Sequence, residues 1–231
     1  MAHHKGKLIV LDGSDGVGKA TQTKLLVERL KKEGKKVRSL DFPQYYDNFF
    51  GKFIGECLQG MYGDFVHLDP HIASVMYAAD RFEAKPKIEK WLSEGCVVVL
   101  DRYVSANQMH QGGKITDQKK RKEFLLWLDR MEHAVFKLPR PDIIVYLHLP
   151  VRLSLTLLQN KSASEKKKYI KKGMKDVVEG DIQYLEDSQK SALKLVASKS
   201  NWKKIECSSK NEILPREVIS EKIFEVIKKV I

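Results

Sequence analysis

The sequence has little cysteine and no long apolar run. Its three cysteines, Cys57, Cys96 and Cys207, lie far apart, form no CxxC pair and cannot all close into disulfides because their number is odd. This argues against a disulfide-stapled secreted protein, and we expect a reducing, cytoplasmic location. Apolar runs such as residues 97–100 are far shorter than the ~20 residues that a helix needs to cross a bilayer. We therefore expect no membrane span.

The sequence also lacks Gly/Ser-rich linkers, internal repeats and low-complexity tracts. Apolar residues make up 42% and charged residues 31% of the 231 residues, which is typical of a globular protein that buries a core. A chain of this length is compatible with one elaborated domain. We expect a single domain over residues 1–231, with a lysine-rich appendage at about residues 160–175.

Positive charge is in excess. Lysine and arginine number 42 against 30 acidic residues, so the formal net charge is +12. Such a charge attracts polyanions, which include nucleic acid, an acidic membrane surface and nucleotide phosphates, and its sign does not choose among them. Because the lysines cluster mostly on predicted helices, we interpret most of them as solvated helix faces.

Short β-branched runs alternate with longer segments of helical spacing. The runs occupy residues 8–12, 36–40, 96–101, 142–149 and 203–207, and the helical segments occupy residues 19–33, 48–60, 70–94, 117–137, 174–199 and 215–230. This alternation predicts a three-layer α/β fold, in which a five-stranded parallel sheet carries helices on both faces. Ligands of such folds bind at the carboxyl ends of the strands.

Within the third predicted helix, five apolar residues recur at intervals of three and four. The spacing predicts one apolar face, which we expect to pack in the core. These residues are Ile72, Val75, Met76, Ala79 and Phe82.

The first strand is followed directly by a glycine-rich loop that ends in lysine. Glycines at positions 13 and 18, followed by Lys19, have the spacing of a P-loop. Backbone N–H groups of such a loop converge on phosphate oxygens, and its lysine contacts the β and γ phosphates. We predict that ATP binds at Gly13, Ser14, Asp15, Gly16, Val17, Gly18, Lys19, Ala20 and Thr21.

One position departs from the P-loop pattern. Ala20 stands where a hydroxyl side chain usually binds Mg²⁺, and Thr21 follows it. The third strand ends in Asp101, with Arg102 next to it. An aspartate at this edge is a natural Mg²⁺ partner, and an arginine clamps phosphate with two parallel hydrogen bonds. These residues indicate phosphoryl transfer.

Four ordered blocks give the chain its resemblance to thymidylate kinases. They are the P-loop, Asp41-Phe42-Pro43-Gln44-Tyr45, Tyr77-Ala78-Ala79-Asp80-Arg81 and Asp101-Arg102-Tyr103. The resemblance implies a P-loop NTPase-type sheet and transfer of the ATP γ-phosphoryl group to dTMP, with Mg²⁺, to give dTDP and ADP. It also implies a homodimer. By this resemblance the catalytic residues are Lys19, Asp15 and Arg102.

The resemblance assigns residues to the sugar and phosphate of the acceptor. Asp15 matches a carboxylate that holds the deoxyribose 3′-hydroxyl and helps to place the acceptor near the metal. Phe42-Pro43 matches a turn with a cis proline, and Tyr45 matches a tyrosine that faces the acceptor phosphate. Several family members carry an arginine in this turn, which this chain lacks, so we expect Arg102 to bind that phosphate.

Other residues match positions that contact the base. Tyr77 matches an aromatic side chain that stacks on thymine. Arg81 matches an arginine that donates to thymine O4, where cytosine would present an amino group instead. Asn107 and Gln108 lie where the family contacts the remaining base edge, and His110 lies where an aromatic often crowds the 2′ side of the sugar.

The lysine-rich segment at residues 160–175 resembles the lid of this family. Thymidylate kinases supply an arginine to the transition state from the P-loop or the lid, but this chain has Gly16 in the P-loop and no arginine from Leu153 to Pro215. A lid lysine or Arg102 must then supply the charge. The candidates are Lys167, Lys168, Lys171 and Lys172, with Glu179 as an auxiliary metal or acceptor ligand.

Two alternatives remain open from the sequence. A kinase for another pyrimidine nucleotide, such as dUMP, shares nearly every feature, because a pocket selects for a methyl group by only ~1–3 kcal/mol. A nucleic-acid-linked P-loop ATPase would use the positive charge differently. Since no nucleic-acid-binding module is recognisable, we expect dTMP and ATP as partners and no nucleic acid.

Overall fold

The computed structural model describes residues 6–159 and 181–231. The lid predicted at residues 160–175, with its candidate lysines, and Glu179 lie outside the described residues.

Five parallel strands form the central sheet, in the order β2-β3-β1-β4-β5. The predicted parallel sheet is therefore confirmed. Its strands are β1 (Lys7–Gly13), β2 (Val37–Asp41), β3 (Val97–Asp101), β4 (Ile143–His148) and β5 (Trp202–Glu206).

Helices follow most strands. They are α1 (Lys19–Lys32), α2 (Phe49–Leu58), α3 (Pro70–Ser93), α4 (Val104–Gly113), α5 (Gln118–Asp129), α6 (Val151–Gln159), α7 (Ile182–Ser198) and α8 (Arg216–Ile227). A π-helical turn, Arg130–Val135, continues α5. Among the described residues, no helix has both the length and the apolar character that a membrane crossing requires.

Three elements were not predicted. The helix α4 escapes the periodicity criterion because most of its residues, polar ones included, are buried, so it shows no apolar stripe. The helix α6 is short. The strands β6 (Ser208–Ser209) and β7 (Glu212–Ile213) form a small hairpin, and each has only two residues, too few to show alternation of apolar and polar residues.

The strand register brings the predicted site residues to one edge of the sheet. Asp101 pairs with Leu11 of β1 and with Asp41 of β2. Because all the strands are parallel, the segments after β1, β2 and β3 leave the sheet at this edge. The P-loop follows the central strand, so the other segments flank it.

The two faces of the sheet support two cores. Alternate residues of β1 point to opposite faces, so Leu8 and Val10 pack with α3, α4 and α7, whereas Ile9 and Leu11 pack with α1 and α8. All four of these side chains are buried. The P-loop is therefore anchored to a strand that is covered on both sides.

The prediction that the apolar face of α3 packs in the core is wrong. Ile72, Val75 and Phe82 are 55%, 43% and 48% exposed. The buried side of α3 instead carries small and polar residues in its first half, including Asp80 and Arg81, and Ile88 and Leu92 in its second half. Periodicity located the helix correctly, but only the second half of its inward side is a large apolar core face.

We expect Ile88→Ala, on the buried side of α3, to lower the free energy of unfolding by about 2–5 kcal/mol, because it leaves a cavity in the core. Val218→Ala on the exposed side of α8 is the control and should change it by less than about 0.5 kcal/mol. Urea unfolding measures both. Equal effects of the two substitutions would contradict the assigned core.

Candidate active site

The loop between β1 and α1 has the backbone that a phosphate cradle needs. Gly16 and Gly18 have φ values of 82° and 90°, a region that L side chains rarely adopt. A Cβ on Gly16 would also collide with the carbonyl oxygen of Ser154. Gly18 caps α1 without any side-chain hydrogen bond, so the helix N-terminus faces the loop with its backbone N–H groups.

Lys19 lies folded over this loop. Its Nζ donates to the backbone oxygen of Ser14 at 2.8 Å and lies 3.7 Å from Oδ1 of Asp15. Burial, together with the positive charge of Arg102, lowers the pKa of Lys19 to about 8, although nearby carboxylates partly offset this. A bound phosphate would favour the charged ammonium group.

Arg102 connects the end of β3 to the P-loop. Its Nη2 donates to Oδ1 of Asp15 at 2.8 Å, and its Nη1 lies 3.7 Å from Asp12. Burial alone would lower the pKa of Arg102, but the carboxylates of Asp15, Asp12 and Asp101 outweigh it and raise this pKa. Its φ of 66° is left-handed, a strained conformation that the surrounding contacts stabilise.

Asp12 is a buried site residue that the sequence analysis missed. Its carboxylate accepts a hydrogen bond from Ser105 Oγ at 2.5 Å and from the backbone N–H of Gly13 at 2.9 Å. Burial raises its pKa, and the charge of Arg102 opposes this shift. A charged residue at the end of an otherwise apolar strand was the signal that could have identified it.

Asp101 lines the cavity at the end of β3. Burial raises its pKa to about 6; Lys19 and Arg102 oppose the rise, whereas Asp12 and Asp41 add to it. Any additional positive charge nearby would stabilise the ionised form of this carboxylate. It is therefore the best candidate here for contact with a divalent cation, although no group of three or more His, Cys, Asp or Glu in the described ranges forms a complete metal site.

One cavity of about 550 Å³ joins the P-loop to the residues predicted for the acceptor. The predicted residues that line it are Asp15, Gly16, Gly18, Lys19, Ala20, Thr21, Phe42, Pro43, Tyr45, Tyr77, Arg81, Asp101, Arg102, Asn107 and His110. Gly13, Ser14 and Val17 belong to the loop without lining the cavity.

Gln108 does not line the cavity, whereas Gln111 does. On α4, Gln111 lies one turn after Asn107, so the two share a face; Gln108 is rotated away from it. The Oε1 atom of Gln111 is buried without a hydrogen-bond partner in the described structure. Gln111 was missed because α4 itself was not predicted, and its i, i+4 spacing from Asn107 would have identified it.

The turn after β2 is held from α3. The Phe42–Pro43 peptide bond is cis, as the resemblance implies. The backbone N–H of Gln44 and the side chain of Asn48 both donate to Asp80, at 3.1 and 3.0 Å. Burial raises the pKa of Asp80 to about 6. Asp80 thus fixes the turn that carries Pro43 and Tyr45.

Arg81 and Asn107 meet at a third residue. Glu132 accepts hydrogen bonds from Nε and Nη2 of Arg81, at 2.8 and 2.5 Å, and from Nδ2 of Asn107, at 3.0 Å. The Glu132 side chain is fully buried. No sequence motif indicates Glu132. It lies within the helical segment predicted at residues 117–137, but its partners are 25 and 51 positions away and belong to other elements.

His110 contacts Arg102 from α4. Arginine can only donate, so Nε2 of His110 is the acceptor for Nη1 of Arg102, at 2.9 Å, and Nδ1 lies 3.1 Å from Ser188 Oγ. Burial, with the charge of Arg102, lowers the pKa of His110 to about 3. The imidazole is neutral and orients the guanidinium group.

A phosphate cradle at the centre of a parallel sheet, opening into the same cavity as an arginine from the next strand, places this protein in the P-loop class of nucleotide-binding proteins. Comparison with known proteins identifies the family within this class. A family model described as thymidylate kinase matches residues 11–218. The chain belongs to the thymidylate kinase family, and the resemblance stated from the sequence is confirmed.

Individual relatives agree with the family model. The human thymidylate kinase is 33% identical over 149 residues, an alignment that covers 64% of both chains. The thymidylate kinase of Mycobacterium tuberculosis is 31% identical over 147 residues, which cover 64% of this chain and 68% of the relative. A probable thymidylate kinase of Pyrococcus horikoshii is 36% identical over 153 residues, which cover 65% and 69%.

We expect Asp101→Asn to raise the free energy of unfolding at neutral pH by about 3 kcal/mol, because the folded protein no longer holds an ionised carboxylate in this site. The gain should shrink as the pH falls through about 6 and vanish near 3.8, where the carboxyl group becomes protonated in the unfolded chain as well.

Urea unfolding at a series of pH values measures this difference. Asp47→Asn, at the protein surface, is the control with the same change of charge. Wild-type stability for Asp101→Asn at neutral pH would show that the site tolerates the charge without cost.

Proposed function

We propose that the protein transfers the γ-phosphoryl group of ATP to dTMP and releases dTDP and ADP. The observation that carries this proposal is the single cavity, in which P-loop residues and the predicted acceptor residues face the same space. Direct transfer requires both nucleotides to lie end to end in one enclosure. Family membership supports dTMP over the alternative acceptors, and it gives no support to a nucleic-acid-linked ATPase.

At the donor end, the P-loop N–H groups and Lys19 bind the ATP phosphates. Lys19 must leave the Ser14 oxygen to do so, and a phosphate oxygen replaces that carbonyl as its acceptor. We infer that Mg²⁺ is held by Asp101 and the phosphates, since Mg²⁺ needs few protein ligands when it binds a nucleotide. Mg²⁺ would neutralise charge on the donor phosphates. Ala20 supplies no hydroxyl group, so Asp101 has the greater role.

At the centre, Arg102 lies between the two phosphates. Asp15 and His110 each accept from one terminal nitrogen of its guanidinium group, so its remaining N–H groups are preorganised for phosphate oxygens. The acceptor phosphate is already ionised and needs no general base. The chain therefore contributes position and positive charge, which dominate phosphoryl transfer. Asp15 is proposed for the deoxyribose 3′-hydroxyl and, through it, for the metal region.

At the acceptor end, we assign thymine to Tyr77, Arg81 and Asn107. Arg81 has donors left for O4, and Asn107 has its carbonyl oxygen left for N3–H, because Glu132 engages their other groups. The Oε1 atom of Gln111, which has no hydrogen-bond partner among the described residues, is a further acceptor on the same side of α4. Leaving such an acceptor buried without a donor is costly, so a ligand that donates to it is favoured.

The acceptor is tested by ADP release from Mg·ATP in a coupled assay with dTMP, dUMP, dCMP, dGMP or no acceptor. We expect dTMP to be the best substrate and dUMP to follow within about 10–200-fold, since only a methyl group separates them. Lys19→Ala should lower kcat/KM at least about 100-fold, because it removes a positive charge that stabilises the transferring phosphoryl group. ADP release that is independent of acceptor would refute the kinase and indicate an ATPase.

We also propose that the protein is a homodimer that pairs through the exposed side of α3. Phe82 contacts the ring of Phe136 at 5.1 Å between centroids, and Glu83 accepts from the backbone N–H of Phe49. The side chains of Phe49, Val75 and Phe82 are exposed. Val75 and Phe82 lie two turns apart on one side of α3, and Phe49 adjoins Glu83 of the same helix, so we propose that they belong to one apolar surface. Contiguous exposed apolar surface of this kind indicates an interface.

Phe82→Glu should convert the dimer into a monomer, because a charge would be buried in the interface. Sedimentation velocity measures the mass, with Val218→Glu on α8 as the control for an exposed apolar residue outside this surface. A wild-type monomer at tens of micromolar, or a Phe82→Glu dimer, would refute the proposed surface.

For its location, we infer the cytoplasm. All three cysteines are buried and free in the structure, which is the state that a reducing compartment maintains. We further propose that residues 1–231 act as one domain, since both cores share one sheet.

A further inference from the structure

Glu132 occupies an unusual place for an ionised side chain. It comes from the π-helical turn that continues α5, and its carboxylate is fully buried. Arg81 from α3 donates to both of its oxygens. Asn107 from α4 donates to Oε1. A buried carboxylate is tolerated when charged and polar donors satisfy it in this way, and π-helical turns are frequent at functional sites.

The contacts fix which way round the Asn107 amide lies. Its Nδ2 donates one hydrogen to Glu132 and the other to the backbone oxygen of Ser74, at 3.0 and 3.1 Å. A carboxylate and a backbone carbonyl accept and cannot donate. Rotating the amide by half a turn would place its oxygen against two acceptors. The oxygen, Oδ1, is therefore the atom that Asn107 offers to a ligand.

The same carboxylate fixes the donor beside it. With Nε and Nη2 of Arg81 bound to Glu132, the plane of the guanidinium group is set. Both hydrogens of Nη1 and one of Nη2 are left over from this pair. Both Arg81 and Asn107 line the cavity. One buried group thus presents an N–H donor and a carbonyl acceptor to the same ligand.

We propose that Glu132 is a positioning residue that sets the base selectivity of the acceptor site. The pattern it imposes complements a base edge with a carbonyl acceptor beside an N–H donor, which thymine and uracil present at O4 and N3. Cytosine presents the inverse pattern, an amino donor beside an acceptor nitrogen. This inference rests on the proposed kinase function, because it names how that site distinguishes bases.

The test compares acceptors in Glu132→Gln, which keeps the size of the side chain and removes its charge. We expect kcat/KM for dTMP and for dUMP to fall together by about tenfold or more, because both depend on the imposed pattern. The value for dCMP should change less than about threefold, and the KM for ATP should stay as in the wild type. The dTMP-to-dUMP ratio should be unchanged while the dTMP-to-dCMP ratio falls.

A matched control is Glu123→Gln, an exposed residue of α5 with the same change of charge, which should leave all ratios as in the wild type. An equal fall for dTMP, dUMP and dCMP in Glu132→Gln would mean that Glu132 serves stability alone and would overturn the proposal. Unchanged ratios would do the same. A wild-type protein with no activity toward any nucleoside monophosphate would instead refute the proposed function.

Two further measurements keep the test decisive. If Glu132→Gln does not fold, Glu132→Asp retains the charge with a shorter reach and should shift the ratios in the same direction. Equilibrium binding of dTMP, dUMP and dCMP without ATP gives the same comparison without turnover. In a double-mutant cycle with Asn107→Ala, the effects on dTMP binding should be strongly non-additive; additive effects would show that Glu132 does not act through Asn107.

Discussion

The ion pair between Arg102 and Asp15 is the contact on which the site depends. It joins the end of β3 to the P-loop, which leaves β1, so two adjacent parallel strands are tied at their carboxyl ends. Asp12, at the end of β1, and His110, on α4, contact the same guanidinium group. Burial at this edge, with the like charge of Arg102, lowers the pKa of Lys19, and burial, with the like charges of Asp12 and Asp41, raises that of Asp101; the opposite charges reduce both shifts. Each of these shifts is reduced when phosphate or a cation adds the missing charge.

The two sides of the helix α3 have different contacts. Its inward side carries Asp80, which fixes the turn after β2, and Arg81, which contacts Glu132. Its outward side carries the apolar residues that a core helix would normally bury. An amphipathic helix is usually oriented by its apolar stripe. Here the hydrogen bonds of Asp80, the ion pair of Arg81 and the core contacts of Ile88 together determine the orientation, and part of the apolar stripe stays exposed.

The sequence predicted the sheet, its parallel arrangement and the P-loop because each depends on local signals: β-branched runs, alternation with helices and glycine spacing. Beyond the P-loop and the end of β3, it predicted the residues that line the cavity only through family resemblance, and it named Gln108, whereas Gln111 is the glutamine that lines the cavity. Asp12, Glu132 and Asp80 hold other residues across long sequence separations. Such contacts follow from the folded topology, and no periodicity within a helix or strand contains them.

Gly16 limits how this protein can change. A side chain at this position would meet the backbone oxygen of Ser154 on α6 and would require a left-handed conformation. The family resemblance includes an arginine in the P-loop as one source of positive charge. Replacing Gly16 alone by arginine would not fit this structure. A larger residue at position 16 would require α6 to move away from the loop, so the packing of this helix restricts which side chains the phosphate-binding loop can carry.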